Sequence, residues 1–97
     1  MSKYVVLWNF TEKGVANVQQ SPDRAEAFVA AARKLGAKVE TFMWTAGPYD
    51  GIAIIEAPDH ETVSALSLST AKLGNIKTTT LRAYDSAEFR KIVGKIA

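Results

Sequence analysis

The sequence predicts a single α+β domain with seven elements in the order β-α-β-β-α-β-α. Segments rich in β-branched and aromatic residues alternate with segments of helical spacing, and turn residues separate them. The chain of 97 residues is long enough for one hydrophobic core and too short for two. We therefore expect one domain over residues 1–97.

The first third of the chain predicts a strand and an interrupted helix. Residues 3–10 are dense in β-branched and aromatic types, which is typical of a strand. Thr11 is placed to cap the helix that follows. The Ser-Pro pair at residues 21–22 predicts a second cap with proline in the first turn, so the helix kinks or restarts there. Gly36 then ends it in a left-handed conformation.

The middle of the chain predicts two strands and a second helix. Residues 37–45 form the second strand, and a turn over residues 47–51 leads into the third. Residues 52–57 are apolar at nearly every position, which favours a strand in the centre of the sheet. Asp59 can cap a helix over residues 60–73. The inward positions of this helix are predicted to be Val63, Leu66 and Leu73.

The C-terminal part predicts a fourth strand and an additional helix. In residues 76–84, Thr79, Leu81 and Ala83 share one side, and this side is the better core face. Residues 85–88 have capping-box spacing, with Asp in place of Ser or Thr. An apolar stripe at helical spacing follows: Phe89, Ile92, Val93 and Ile96. The first six elements indicate a ferredoxin-like βαββαβ fold, an antiparallel sheet with helices mainly on one face.

The second face of this sheet needs a cover. Both faces of the first strand are largely apolar: Tyr4, Val6, Trp8 and Phe10 on one, Val5, Leu7 and Asn9 on the other. Two helices cover one face only, and large aromatic residues are poorly suited to a bare surface. We expect a partner copy to cover the second face, giving a homodimer or larger homo-oligomer. The alternative is that the C-terminal helix folds back over it.

Composition excludes several classes of site. Without cysteine, the chain can form no disulfide, thiolate nucleophile or zinc–thiolate centre, which fits a cytoplasmic protein. The net charge is only +2 and the basic residues are scattered, which disfavours nucleic acid as a partner. No apolar run approaches the roughly 20 residues that span a bilayer. Neither a metal-loop pattern nor a phosphate-binding glycine loop occurs, so we expect no metal and no cofactor.

Polar residues of the fourth strand predict a small-molecule site. Thr78, Thr80 and Arg82 share one face, and their side chains can bind an anionic group. With Trp8 and Trp44 as apolar walls, they could line a cavity between two sheets for a small anionic or aromatic molecule. The alternative is that they are ordinary strand-surface or interface residues.

Two further positions are candidates for acid–base chemistry. Tyr49 and Asp50 lie in the turn before the third strand, where they could frame a ligand or exchange a proton. The alternative is that Asp50 only organises the turn. His60, the only histidine, begins the second helix, where a solvated side chain is the simpler interpretation.

Several segments resemble the GYD domain family. They comprise residues 8–14 (WNFTEKG), 17–18, 21–24, 34–39, 47–50 (GPYD), 54–59 (IIEAPD) and 74–83 (GNIKTTTLRA). The resemblance covers Tyr4 to about Ile96, with Pro48 inside the Gly-Tyr-Asp element. It implies a ferredoxin-like subunit related to the dimeric α+β barrel proteins, and it implies no catalytic residue.

These observations favour a self-associating module that binds a small ligand or has a regulatory role. One alternative is a cofactor-free enzyme of the dimeric α+β barrel type, acting on a small aromatic or carbonyl compound through Asp50 or His60. A purely structural assembly unit is the other alternative.

Overall fold

The structure is a computed structural model that describes all 97 residues, and it confirms the predicted order of strands and main helices. The strands are β1 (Ser2–Phe10), β2 (Lys38–Trp44), β3 (Gly51–Ala57) and β4 (Ile76–Ala83). The helices are α1 (Glu12–Ala16), α2 (Ser21–Lys34), α3 (His60–Ala71) and α4 (Ser86–Val93), with a 3-10 turn at Val18–Gln20.

The four strands form one antiparallel sheet in the order β2-β3-β1-β4. β3 lies between β2 and β1, as its continuous apolar sequence predicts. Val6 of β1 is paired with Ala53 of β3 on one side and with Thr80 of β4 on the other. This arrangement is consistent with the predicted ferredoxin-like fold.

Side-chain caps begin three of the four helices where the sequence predicts them. The hydroxyl of Thr11 accepts a hydrogen bond from Gly14 N at 3.1 Å, and Asp59 Oδ1 accepts one from Thr62 N at 2.8 Å. Asp85 and Glu88 form a complete capping box. Each cap satisfies a backbone N–H that has no partner within the helix, so these short polar residues fix where the helices begin.

The interrupted first helix is confirmed, but the cap predicted at Ser21 is wrong. α1 ends at Ala16, and α2 starts afresh at Ser21 with Pro22 in its first turn. Ser21 already has helical backbone angles, and its hydroxyl accepts a hydrogen bond from the indole Nε1 of Trp44 at 2.9 Å. The hydroxyl therefore binds a side chain of β2 and does not cap the helix.

The hydrophobic core lies between α2, α3 and one face of the sheet. Its buried members are Tyr4, Val6, Trp8, Phe28, Ala32, Ala37, Ala53, Ile55, Ala57, Val63 and Leu66. Two of the three inward positions predicted for α3 are thus confirmed. Leu73 is 54% exposed, because α3 ends at Ala71 and the chain leaves the helical path before it.

The core face predicted for β4 is wrong. Thr78, Thr80 and Arg82 pair with Trp8, Val6 and Tyr4, and therefore lie on the helix-covered face. Leu81 pairs with Val5 on the other face and is 47% exposed. Pairing with β1 sets this register, and an edge strand tolerates threonines at the margin of the core.

β2, the other edge strand, contains an irregularity. Its register against β3 shifts between Val39 and Thr41, so Glu40 is the extra residue of a β-bulge. The carboxylate of Glu40 lies 3.3 Å from Lys3 Nζ. The bulge lets Thr41 and Met43 share the sheet face of Ile54 and Ile52, their partners in β3.

Candidate functional site

The sheet face opposite α2 and α3 carries a continuous apolar surface, which we call the open face. It consists of Val5, Leu7, Met43, Ile52, Ile54 and Leu81, which the strand register brings side by side. Leu81 and Met43 are exposed, and the remaining four are partly exposed. A patch of this kind on a small domain is typical of an interaction surface.

The alternative in which the C-terminal helix covers the open face is wrong for the single chain. α4 buries none of its residues and makes few contacts with other elements. Its apolar stripe, predicted from the sequence, is exposed along its length: Phe89, Ile92, Val93 and Ile96. The chain therefore presents two apolar surfaces, the open face and the stripe of α4, that its own fold leaves uncovered.

Arg82 attaches the start of α4 to the sheet. Its Nη2 lies 2.7 Å from Glu88 Oε2, and its Nη1 donates to the backbone oxygens of Lys3 and Ala83. The guanidinium also lies over the ring of Tyr84, 4.6 Å from the centroid. Hydrogen bonding to Arg82 lowers the pKa of Glu88, and the same bond raises the pKa of Arg82. The carboxylate that Arg82 binds here thus belongs to its own chain.

Replacing Arg82 with Gln should raise the pKa of Glu88 towards its ordinary value of about 4.3. The folded-state pKa of Glu88 is lowered, so its contribution to stability is present above the unfolded-state pKa and is lost as pH falls through the folded value. An NMR titration of the Glu88 carboxyl carbon measures this pKa, with Arg33→Gln on α2 as the control. Identical Glu88 titrations in wild type and Arg82→Gln would contradict the assigned cause.

Asp50 holds the Tyr49-Asp50 turn against the end of β1. Its Oδ2 accepts a hydrogen bond from Phe10 N at 2.9 Å, and its backbone N–H donates to Trp8 O at 2.8 Å. Asn9 Nδ2 donates to Pro48 O at 2.8 Å, which fixes the same turn. Tyr49 is 38% exposed, and its carbonyl accepts a hydrogen bond from Thr45 Oγ1. This geometry matches the turn-organising interpretation of Asp50.

The two acid–base candidates lie far apart. The ring of His60 contacts Tyr4, with 5.5 Å between centroids, near the start of β1. Asp50 binds Phe10, six residues further along the strand, which is about 20 Å at the usual rise. Asp50 and His60 therefore cannot act on one proton together. The structure also brings no three His, Asp or Glu side chains into a group that could hold a metal ion.

The seven predicted ligand residues do not form one site. Trp8 and Thr78 line a cavity between α2, the end of α3 and the sheet. Trp44 lies on the edge strand β2 and donates a hydrogen bond to Ser21 of α2. Thr80 lies further along β4, and Arg82 is near the opposite end of the sheet. Tyr49 and Asp50 belong to the turn after β2. The binding roles stay predictions, but Thr78, Thr80 and Arg82 face the helices and so cannot line a cavity between two open faces.

The sequence did not predict that α2 and α3 form a wall of this cavity. The signal was the alanine-rich sequence of α2, where Ala25 and Ala31 leave space that larger side chains would fill. Asn75, in the loop before β4, also lines the cavity and was not among the predicted site residues. No helix of the protein is both long enough and apolar enough to cross a membrane.

Comparison with known proteins agrees with the resemblance seen in the sequence. The GYD domain pattern matches residues 4–93. A protein of Thermus thermophilus described as "Glutamine synthetase and cystathionine beta-lyase binding protein" is 33% identical over 89 residues. That alignment covers 91% of this chain and 94% of the relative. Since both matches extend over nearly the whole domain, the chain belongs to the GYD domain family.

Proposed function

We propose that this protein is a self-associating regulatory module that binds other proteins and performs no catalysis of its own. The observation that carries the proposal is the open face, an apolar sheet surface that no element of the chain covers. The Thermus relative, which is described by the two enzymes that it binds, supports a protein-binding role.

The occupant that we propose for the open face is a second copy of the chain. Val5, Leu7, Ile52 and Ile54 form its centre on the two inner strands, with Met43 and Leu81 on the edge strands. In a two-fold dimer the same patch lies on both subunits, so one apolar face can bury another without a charged counterpart. The exposed stripe of α4 gains a partner in the same step if it packs across the edge of the neighbouring subunit.

Binding of an enzyme as a partner protein is the second part of the proposal. The relative aligns with almost all of this chain, which supports a similar binding role here. We propose that this protein likewise binds the glutamine synthetase or the cystathionine β-lyase of its own organism. The cofactor-free enzyme alternative gains no geometric support, because the Asp50 carboxylate is bound by Phe10 N in a turn and His60 is exposed at the start of α3.

Replacing Leu81 with Lys should convert the wild-type oligomer into a monomer. A charge within the proposed apolar interface would have to be desolvated without a partner, which costs several kcal/mol, whereas in the monomer the side chain is already exposed. Size-exclusion chromatography with light scattering measures the mass. The matched control is Leu68→Lys on the outer side of α3, where Leu68 is 69% exposed.

The same two variants test whether enzyme binding depends on an intact open face. Biolayer interferometry with the purified glutamine synthetase and cystathionine β-lyase of the same organism measures the affinity of each variant. The expected result is binding by wild type and Leu68→Lys, with weaker binding by the Leu81→Lys monomer. A monomeric wild type at micromolar concentration would overturn the dimer, and absence of binding to both enzymes would overturn the partner class.

A further inference from the structure

A cavity of about 240 Å³ lies on the helix-covered side of the sheet. Its floor is formed by β1 and neighbouring strands, one wall by α2, and the other by the end of α3 and the loop before β4. Eleven of its seventeen lining residues are hydrophobic. It exceeds the roughly 150 Å³ of an engineered apolar cavity that binds benzene, so a single substituted ring fits by volume.

The shape of the lining favours a flat aromatic ligand. Trp8, Phe28 and Phe42 line the cavity together, with centroids 4.7 Å apart for Trp8–Phe42 and 5.8 Å apart for Phe28–Phe42. Aromatic rings pack against one another in offset or edge-to-face geometry at such distances, so a ligand ring can extend this cluster. Ala31 of α2 and Ala53 of β3 are the small residues that leave the space open.

One polar group in the lining is unsatisfied. Asn75 is 8% exposed, and its side-chain oxygen Oδ1 is buried without a hydrogen-bond partner. A buried acceptor without a donor is costly, and native proteins usually satisfy such groups. A ligand that donates a hydrogen bond at this position would remove the cost, whereas a purely hydrocarbon ligand would not.

From these observations we propose that the cavity is a binding site for a small single-ring aromatic compound with a hydroxyl or amino donor, and that Asn75 accepts its hydrogen bond. The ring lies among Trp8, Phe28 and Phe42. This site is separate from the open face, which lies on the other side of the sheet, so it depends neither on self-association nor on a partner enzyme.

The test compares p-cresol with toluene, two rings of similar shape of which only the first has a hydroxyl donor. Titration of each into ¹⁵N-labelled full-length protein, followed by amide shifts of the cavity-lining residues, gives two affinities. We expect p-cresol to bind roughly three- to tenfold more tightly than toluene, which is the usual range for one hydrogen bond. Shifts should centre on Phe28, Thr78 and the loop at Asn75.

Two variants assign the binding to this cavity. Asn75→Leu replaces the carboxamide with an apolar group of similar size, so the preference for p-cresol over toluene should be lost. Ala31→Leu fills part of the space, so both compounds should bind more weakly while Asn75 is retained; it also keeps the test open if Asn75→Leu does not fold. Val29→Leu on α2, at a residue outside the cavity lining, is the control for Ala31→Leu.

Each outcome decides the proposal. Selective p-cresol binding that loses its selectivity in Asn75→Leu, or its strength in Ala31→Leu, supports it. Equal affinity for the two compounds in wild type would overturn the role of Asn75 and the required donor. No amide shift with either compound up to its solubility limit, or shifts confined to the open face, would overturn the site itself.

Discussion

Replacing Gly51 with Ala should lower the free energy of unfolding by about 1–3 kcal/mol, the usual cost of overpacking a core. A Cβ atom built on Gly51 would overlap Cζ2, Cε2 and Cη2 of Trp8, which pairs with it across β1 and β3. The indole cannot move aside freely, because Trp8 is buried and packs against Phe42. Alanine reduces the entropy of the unfolded chain, which is worth at most about 1 kcal/mol and does not offset the overlap.

Thermal unfolding measures this loss as a lower midpoint, by about 4–8 °C for each kcal/mol in a domain of this size. The matched control is Gly94→Ala after α4, where the added Cβ meets only backbone oxygens at 3.5 Å and φ is −63°. Its midpoint should stay near that of wild type. If Gly51→Ala unfolds at the wild-type temperature, the indole of Trp8 is free to shift and the close approach of β3 does not constrain the core.

Replacing Gly14 with Ala should be at least as destabilising, because the obstacle is backbone. The new Cβ would overlap the carbonyl oxygen of Asn75 and lie 3.2 Å from Cδ1 of Phe10. Asn75 O accepts the backbone hydrogen bond of Thr11 at 3.0 Å, so pushing α1 outward would break this bond. We expect a loss of about 1–3 kcal/mol, although alanine gains about 1 kcal/mol over glycine in helix propensity.

Urea unfolding followed by circular dichroism measures the effect of Gly14→Ala, and Val15→Ala is the control. Val15 is the next residue of α1 and is exposed, so its truncation should change stability by no more than about 0.5 kcal/mol. Equal stability of the two variants would contradict close packing of α1 on the loop before β4. The amide signals of Thr11 and Asn75 should shift in Gly14→Ala alone.

Local signals in the sequence predicted the elements well. Thr11, Asp59 and the Asp85–Glu88 pair act as caps in the structure, and Gly36 takes the left-handed conformation with φ of 80°. These features depend on a few neighbouring residues, so spacing alone is informative. The central position of β3 was also predictable, because a continuous run of apolar residues favours a strand that has a neighbour on both edges.

Contacts between distant parts of the chain determined the features that the sequence did not predict. Side chains of β4 point alternately to the two sides of the sheet, and the alternation alone leaves open which side faces the core. The register with β1 places Thr80 rather than Leu81 beside the helices. Serine is a residue type that commonly caps helices, but the hydroxyl of Ser21 accepts a hydrogen bond from the indole of Trp44, 23 residues away. The cavity escaped prediction for the same reason: α2 and β1 are distant in sequence, and Asn75 meets them only in the folded chain.

The bulge at Glu40 affects whether further strands can add to the β2 edge of the sheet. An edge strand with regular free N–H and C=O groups invites further strands, and sheets that add strands in this way polymerise. In β2 the bulge breaks the spacing of these groups, and both the bulged residue Glu40 and the nearby Lys38 carry a charge. Strand addition at the β2 edge is therefore disfavoured, so the exposed apolar face need not lead to polymerisation through that edge.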